Sequence, residues 1–275
     1  MYKEWEERVE TIGIQPIRDM TLVSAVSLTI IFIRHIVRKK FGRLLMKILN
    51  QSKDEKEKCR KKFEGSLYRF VYYAYSLSFE IFALRNQSWI FSPVQYTFNW
   101  PNNNVPLVFR LHHLVQLCYY LTSTCFLFVE PKLKDFYQML IHHIITITLI
   151  SSGYYYNLVR YGIMVMIIHD SADPFLEFAK LNVYSKNMLI ANIIFVIFAV
   201  IFMVQRLLIF PGIIIIPSMY FSFCYGRMVL TVLSSILAML FCVNLVWAYY
   251  ILKMAADLVK KKQVSGDIRE TSKNE

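Results

Sequence analysis

Apolar residues along this chain do not recur on one helical face. They run together in stretches of about 20 residues between short polar breaks, the pattern of helices that are apolar all round because they cross about 30 Å of hydrocarbon. Seven such spans are read from the sequence, at 20–36, 66–84, 107–129, 136–156, 160–181, 188–210 and 229–252. The stretch GIIIIPSMYFSFCYG at 212–226 is apolar but short and carries Pro217. It is expected to be a re-entrant or interfacial segment, and the count becomes eight if it crosses. The fold class is all-α: a polytopic membrane protein with about seven transmembrane helices.

Composition agrees with that class. The 275 residues are 56% hydrophobic and 16% aromatic, with 21 Phe and 18 Tyr, and no soluble domain of ordinary size fits in what remains. The segment 1–19 is charged and lacks a small-residue cleavage site after an apolar core, so the span 20–36 acts as a signal anchor and not as a removed leader. The five cysteines (Cys59, Cys118, Cys125, Cys224 and Cys242) show no CxxC spacing, and four lie in or beside apolar runs, so neither a disulfide framework nor a zinc site is expected.

Charge sets the orientation. The basic loop 37–65 carries eleven Lys and Arg, which places it in the cytosol. Alternating from there, Lys132 and Lys134, then Lys180 and Lys186, then the basic tail 253–275 all fall on the cytosolic side, and the segment 1–19 is lumenal. Eight spans would put the tail on the wrong side. A net charge of +12 would suggest nucleic acid in a soluble protein. Here the excess lies in loops beside membrane helices and topology explains it, so no nucleic-acid partner is expected. Attraction of anionic head groups, or of a phosphate-rich acyl carrier, is the functional reading that remains.

Candidate chemistry comes from IHHIITITLI at 141–150 and IHDSADPFLEFAK at 168–180. An ionisable group at the centre of a membrane helix costs roughly 2.5–3.5 kcal/mol on insertion scales and usually faces a bundle interior. His142 lies six residues inside the start of its span and Asp173 seven before Lys180, so both are about 10 Å from the cytosolic end of antiparallel helices. His142, His143, His169, Asp170 and Asp173 are therefore read as one polar site. Asp170, Asp173 and Glu177 at i, i+3 and i+7 are expected to line one stripe, with His169 paired to Asp173 at i+4. Pro174 should kink the span and free carbonyls beside the acids.

A single His in an apolar helix is more often a packing residue; five polar residues at matched depth on two adjacent helices favour function. His112 and His113 lie nearer the opposite surface and are read as a decoy, while Arg34 and His35 can snorkel to the interface. Iron enzymes of membranes need many histidines in HxxxH or HxxHH spacing, which this chain lacks, so no metal is assigned; a lone ion held by His and Asp is the alternative.

These residues resemble the ceramide synthases, a branch of the TLC-domain membrane proteins, over about 60–255. The resemblance runs from Lys62, Phe63 and Arg69, through Asp135, Phe136 and His142-His143, to Asn157, Arg160, Gly162, HDSAD at 169–173, Leu176, Glu177 and Lys180. It continues in FVIFAVIFMVQRLLIFP at 195–211, which holds Arg206, and in WAYYILKM at 247–254. The chain departs from the family's pattern at Tyr68, where Trp is usual, at Gly65, where Glu is usual, and at Pro174, and it has no room for the homeobox-like insert of some animal members.

The resemblance implies an endoplasmic-reticulum enzyme that joins a fatty acyl group from acyl-CoA to the amine of a sphingoid base. Spans two to seven, 66–252, would form a six-helix TLC barrel around an intramembrane cavity. His142, His143, Asp170 and Asp173 would be catalytic, with His169, Glu177, Lys180, Asn157, Arg160 and Arg206 binding or supporting. The implied partners are acyl-CoA, as co-substrate in place of any cofactor, the sphingoid base and the bilayer; a homodimer or a small regulatory subunit is left open. The last lumenal loop, about 212–227, would influence acyl length.

Two routes suit the chemistry. In one, an imidazole of the doublet, with His142 preferred, attacks the thioester to give an acyl-imidazole, Asp173 holding the ring; in the other, His142 is a general base for direct attack by the amine. A buried site favours the first, because excluding water protects a reactive acyl-enzyme. The rivals are a non-enzymatic lipid-sensing or translocon-associated scaffold, against which the HDxxD element speaks, and an acyltransferase acting on another lipid acceptor.

Overall fold

The computed structural model describes residues 16–41, 53–103, 105–130 and 135–261. Most of the segment 1–19, the centre of the basic loop at 42–52, Lys132 and Lys134, and the tail beyond Lys261 lie outside the described residues. Among the described residues the regular structure is helical: α1 (Pro16–Ile36), α2 (Lys53–Leu84), α3 (Leu107–Val129), α4 (Phe136–Tyr155), α5 (Val159–Asp170), α6 (Asp173–Tyr184), α7 (Met188–Phe202), α8 (Ile216–Tyr225) and α9 (Met228–Lys261). Helices over Asp19–Lys40, Met188–Tyr225 and Met228–Val259 are each long and apolar enough to cross a membrane. Their outer faces leave Leu28, Leu208, Phe223, Met228 and Leu252 exposed, a surface suited to lipid and not to water. This is a helical membrane protein.

The hydroxyl groups in these apolar helices are absorbed by the backbone. Ser24, Thr29, Thr124 and Thr148 each donate to the carbonyl four residues earlier, at 2.7–3.0 Å, so none is left unpaired in a medium without water.

Two expected boundaries move. The basic loop 37–65 is helical at both ends, as a π turn over Val37–Phe41 and as the first turns of α2 from Lys53. The segment 212–226 is not a separate re-entrant piece: α7 continues through a π-helical stretch, Met203–Ile215, into α8, with Pro211 inside it and Pro217 in the first turn of α8. Each proline removes one amide donor, but wider π turns and first-turn placement let the helix run on where a proline in a regular α-helix would break it. The chain reverses instead at Gly226, whose left-handed φ of 56° needs no Cβ and whose N–H caps Ser222.

The expected span 160–181 is two helices. Pro174 has no N–H to give to the carbonyl of Asp170, and α5 stops at Asp170 before α6 begins at Asp173. The short α5 is the centre of the fold, packing against α2, α3, α4 and the π-helical stretch. Its Ile163 and Ile168 join Phe210 and Ile214 in the main core.

The segment 85–106 closes one end of the bundle. Trp100 Nε1 donates to the carbonyl of Tyr156 at 2.7 Å, and the fully buried Tyr96 donates to the carbonyl of Ile90 at 2.5 Å while its ring meets Trp89 and Tyr161 edge-on. Burial pushes the Tyr96 phenol up to about 12.

Candidate active site

Two cavities meet at α4. The larger, about 2080 Å³ including its mouth, gathers the charged groups Arg69, Asp173, Glu177, Lys180 and Arg206 with His142 and His143, against apolar walls that include Phe195, Phe198 and Phe202. The smaller, about 900 Å³, is walled mainly by apolar side chains such as Leu149, Val165, Phe221, Leu233 and Leu237. His142 and Tyr120 line both, so the imidazole stands in the wall that divides a polar chamber from an apolar one. At 1.5 Å per residue, the stretch of α4 from His142 to Gly153, which lines the far end of the apolar chamber, extends about 16 Å.

The doublet is oriented by different threonines. His143 Nδ1 lies 3.0 Å from Thr124 Oγ1, and that hydroxyl already gives its one hydrogen to the carbonyl of Tyr120 at 2.7 Å. Hydrogen counting therefore puts the proton of His143 on Nδ1 and the lone pair on Nε2. His142 Nδ1 is held more loosely, 3.5 Å from Thr146 Oγ1, with Trp247 edge-on at 5.0 Å. The edge of Tyr120 meets both rings.

The acids do not form one stripe. Because the chain breaks between Asp170 and Asp173, each acid finds its own partner. Asp170 accepts from Ser76 at 2.7 Å and Gln116 at 2.8 Å. Asp173 is paired with Arg206 at 2.7 Å, and Glu177 accepts from Arg69 at 3.0 Å and Lys180 at 3.1 Å. The expected pairing of His169 with Asp173 is not formed: His169 Nδ1 faces the carbonyl of Val165 at 2.8 Å and Nε2 faces Asn244 at 3.1 Å. Asp173 does not hold the His142 ring either; among the described residues no carboxylate is hydrogen-bonded to His142 or His143. The freed carbonyl at the break is that of His169, and Arg206 takes it at 2.6 Å while binding Asp173. One buried guanidinium thus locks the break, Asp173 and the polar chamber together.

Asn157 and Arg160 stand apart from both cavities. Asn157 donates to the carbonyls of Pro101 and Asn103 at 2.8 and 2.9 Å, and Arg160 to that of Gln95 at 2.9 Å; both fasten the 85–106 segment. His112 and His113 line neither cavity. His112 Nε2 lies 2.9 Å from Glu80, and His113 packs so tightly on α5 that a Cβ on Gly162 would fall 2.2 Å from its Nε2. No group of three His, Cys, Asp or Glu side chains is placed to hold a metal ion among the described residues.

Sequence reasoning passed over Arg69, Ser76, Glu80, Gln116, Tyr120 and Trp247 as site residues. The signal for Glu80 was available: it is an acid inside the apolar run YAYSLSFEIFAL, the same criterion that picked out Asp170. Tyr120 and Trp247 carry no such signal in a chain this rich in aromatics.

The model of the TLC domain family matches residues 62–253. The chain belongs to the TLC domain family. Within it, the chain is similar to ceramide synthase 4 of Bos taurus, 35% identical over 76% of this chain and 54% of that protein. It is 32% identical to ceramide synthase 5 of Mus musculus, over 76% of this chain and 51% of the relative. It is 30% identical to the ceramide synthase LOH2 of Arabidopsis thaliana, over 78% and 75%. The chain thus spans about half the length of the mammalian relatives and three quarters of the plant one.

Proposed function

We propose that this protein is a ceramide synthase, an N-acyltransferase that moves a fatty acyl group from acyl-CoA to the amine of a sphingoid base. The observation that carries the reading is the position of His142 between a polar chamber and an apolar one. A fatty acyl thioester has that same division. Its hydrocarbon belongs in the apolar chamber, along the roughly 16 Å of α4 that runs from His142 to Gly153. Its charged carrier belongs among Arg69, Lys180 and the basic surface beyond, and the bond between the two falls at His142. A scaffold has no use for a loosely held imidazole at such a junction.

The nitrogen of His142 attacks the thioester carbonyl, the carbon–sulfur bond breaks, and CoA leaves through the polar chamber. The amine enters by the same route and, once it has lost its ammonium proton, attacks the acyl-imidazole carbon and displaces the ring. His143, with its lone pair fixed on Nε2 by Thr124, serves as the adjacent base, and the apolar lining of the smaller chamber disfavours water beside the acyl-enzyme. No cofactor or metal enters the scheme.

The topology that serves this chemistry has seven spans, α5 with α6 counting as one and α7 with α8 as another. The last six form a TLC barrel, the segment 1–19 is lumenal and the tail cytosolic, and the membrane is that of the endoplasmic reticulum. Asp173 and Lys180 then face the cytosol, where acyl-CoA is found, and an oligomer or small subunit can attach outside the barrel.

Purified protein given labelled acyl-CoA and a sphingoid base is expected to release the N-acyl product. Given acyl-CoA alone, it should gain one acyl mass, labile to hydroxylamine, on the peptide bearing His142 and His143. Transfer to glycerolipid acceptors in preference to the amine would overturn the assignment, and full turnover without any adduct would replace the acyl-enzyme by direct attack.

A further inference from the structure

Behind Asp170 lies a polar cluster that the chemistry above leaves unused. Tyr72, Ser76 and Glu80 follow one another at i, i+4 and i+8 on α2, and His112 and Gln116 at i and i+4 on α3, so each set lies on one face. The two faces meet against Asp170 of α5. Ser76, Glu80, His112 and Gln116 are each at most 2% exposed.

Ser76 Oγ stands between the two acids, 2.7 Å from Asp170 Oδ2 and 3.2 Å from Glu80 Oε1. It has one hydrogen and two carboxylates within reach, so it can serve only one at a time. Gln116 Nε2 spans the same gap, 2.6 Å from Ser76 Oγ, 2.8 Å from Asp170 and 3.4 Å from Glu80, while its carbonyl accepts from Tyr72 at 2.7 Å. Beyond Glu80, His112 Nε2 follows at 2.9 Å. Two atoms at this far end, Glu80 Oε2 and His112 Nδ1, are buried with no hydrogen-bond partner among the described residues, and each is a place where a proton can sit. At the near end Asp170 lines the apolar chamber together with His142 and His169.

We propose that Asp170, Ser76, Glu80 and His112 form a proton relay that accepts a proton from the substrate ammonium group and holds it on the Glu80–His112 pair. This rests on the N-acyl transfer reading. An alkyl amine, like a Lys side chain with a pKa of about 10.4, enters as ammonium, and only the neutral amine can attack. Of the two protons the ammonium loses in becoming an amide, one restores the imidazole hydrogen that left His142 on the CoA sulfur, or in direct attack goes to that sulfur itself. The other passes to the Asp170 carboxylate; the resulting acid gives its hydrogen to Ser76 Oγ as Ser76 gives its own to Glu80. Asp170 is a carboxylate again, and the stored proton returns by the same path when the chamber opens to water. Direct attack by the amine needs the same acceptor, so the relay does not depend on an acyl-enzyme.

The test uses the full chain in detergent or liposomes, with turnover measured in light and heavy water. Ser76→Ala cuts the path and keeps both acids. It is expected to lower kcat about a hundred-fold, the lower end of acid–base contributions, to leave the KM for acyl-CoA unchanged, and to raise the solvent isotope effect above that of the wild type. Ser76→Thr keeps a hydroxyl and should restore both kcat and isotope effect, and Glu80→Gln should behave as Ser76→Ala. Wild-type turnover and isotope effect in Ser76→Ala would overturn the relay alone, as would equal losses in the Ala and Thr variants with a lowered melting temperature, which mark a packing role. A wild-type protein inactive toward every amine acceptor would overturn the acyl-transfer reading and the relay with it.

Discussion

The chain holds two histidine doublets, His112-His113 on α3 and His142-His143 on α4, each set in an apolar helix and each buried. Their surroundings differ in one physical respect. The α4 doublet faces empty space, with His142 opening on two cavities and His143 on one. The α3 doublet faces protein: His112 is stacked on Phe79 at 4.5 Å and bonded to Glu80, and His113 is bonded to the carbonyl of Phe109 at 3.1 Å and pressed on Gly162. A buried imidazole with room beside it can meet a substrate, and one packed on all sides can only hold structure or pass a proton. The doublet is therefore uninformative until the packing of the next helix is known.

The largest expected effect breaks the comparison outright if it fails. His142→Ala should lower N-acyl transfer on the order of a thousand-fold or more, as loss of a nucleophile does. Its melting temperature should stay near that of the wild type, since the ring borders a cavity and leaves no tight void. His112→Ala should keep far more activity than His142→Ala, because Glu80 alone can still take the relayed proton, but melt lower, because Glu80 loses a hydrogen-bond partner in a site without water. Turnover and thermal unfolding measured on both variants decide it; a loss at His112 as deep as at His142 would place the reacting centre at the other doublet.

How far the sequence leads depends on what each residue must satisfy. Apolar runs at 107–129 and 136–156 correspond to α3 and α4 almost residue for residue, and the run 20–36 falls within α1, which begins at Pro16, because a helix in hydrocarbon must bond its own backbone. Proline misleads for the same reason. Pro211 directly follows the span read at 188–210 and Pro217 lies in the short run set apart from it, yet the helix runs on through π turns and into α8, whereas Pro174 divides a span and separates Asp170 from Asp173. The i, i+3, i+7 spacing of Asp170, Asp173 and Glu177 presumes an unbroken helix, and the break sends the three acids to three different cations or donors. The pairings that result, of Arg206 with Asp173 and of Arg69 with Glu177, join residues 33 and 108 positions apart, and nothing local in the sequence announces them.

A smaller effect sharpens the contrast from the packed side. Gly162 is where α5 meets the His113 ring, and a methyl group there would sit 2.2 Å from Nε2, closer than any real contact. Gly162→Ala should destabilise the protein by about 1–3 kcal/mol, the scale of an overpacked core. His113→Ala in the same chain should recover much of that loss, because it removes the obstructing ring. Thermal unfolding of the single and double variants gives the coupling. A Gly162→Ala variant as stable as the wild type would mean that His113 is free to move, and that the two doublets are less different than their packing implies.

The smallest effect tests the open side. Thr124 spends its hydrogen on the carbonyl of Tyr120 and so can only accept from His143 Nδ1, which leaves the lone pair on Nε2. Thr124→Val removes that acceptor at nearly constant volume, and the ring can then carry its proton on either nitrogen. If His143 serves as base through Nε2, transfer should fall several-fold, since an orienting hydrogen bond to a ligand or base imidazole fixes its tautomer and leaves the chemistry to the ring. Thr124→Ser keeps the acceptor and should retain activity. The tautomer can be read directly from the ring nitrogen shifts of 15N-labelled His143: a single Nδ1–H form in the wild type and the Ser variant, and a mixture in the Val variant. A Val variant that keeps both the wild-type tautomer and full turnover would show that the cavity, and not Thr124, sets the state of the α4 doublet.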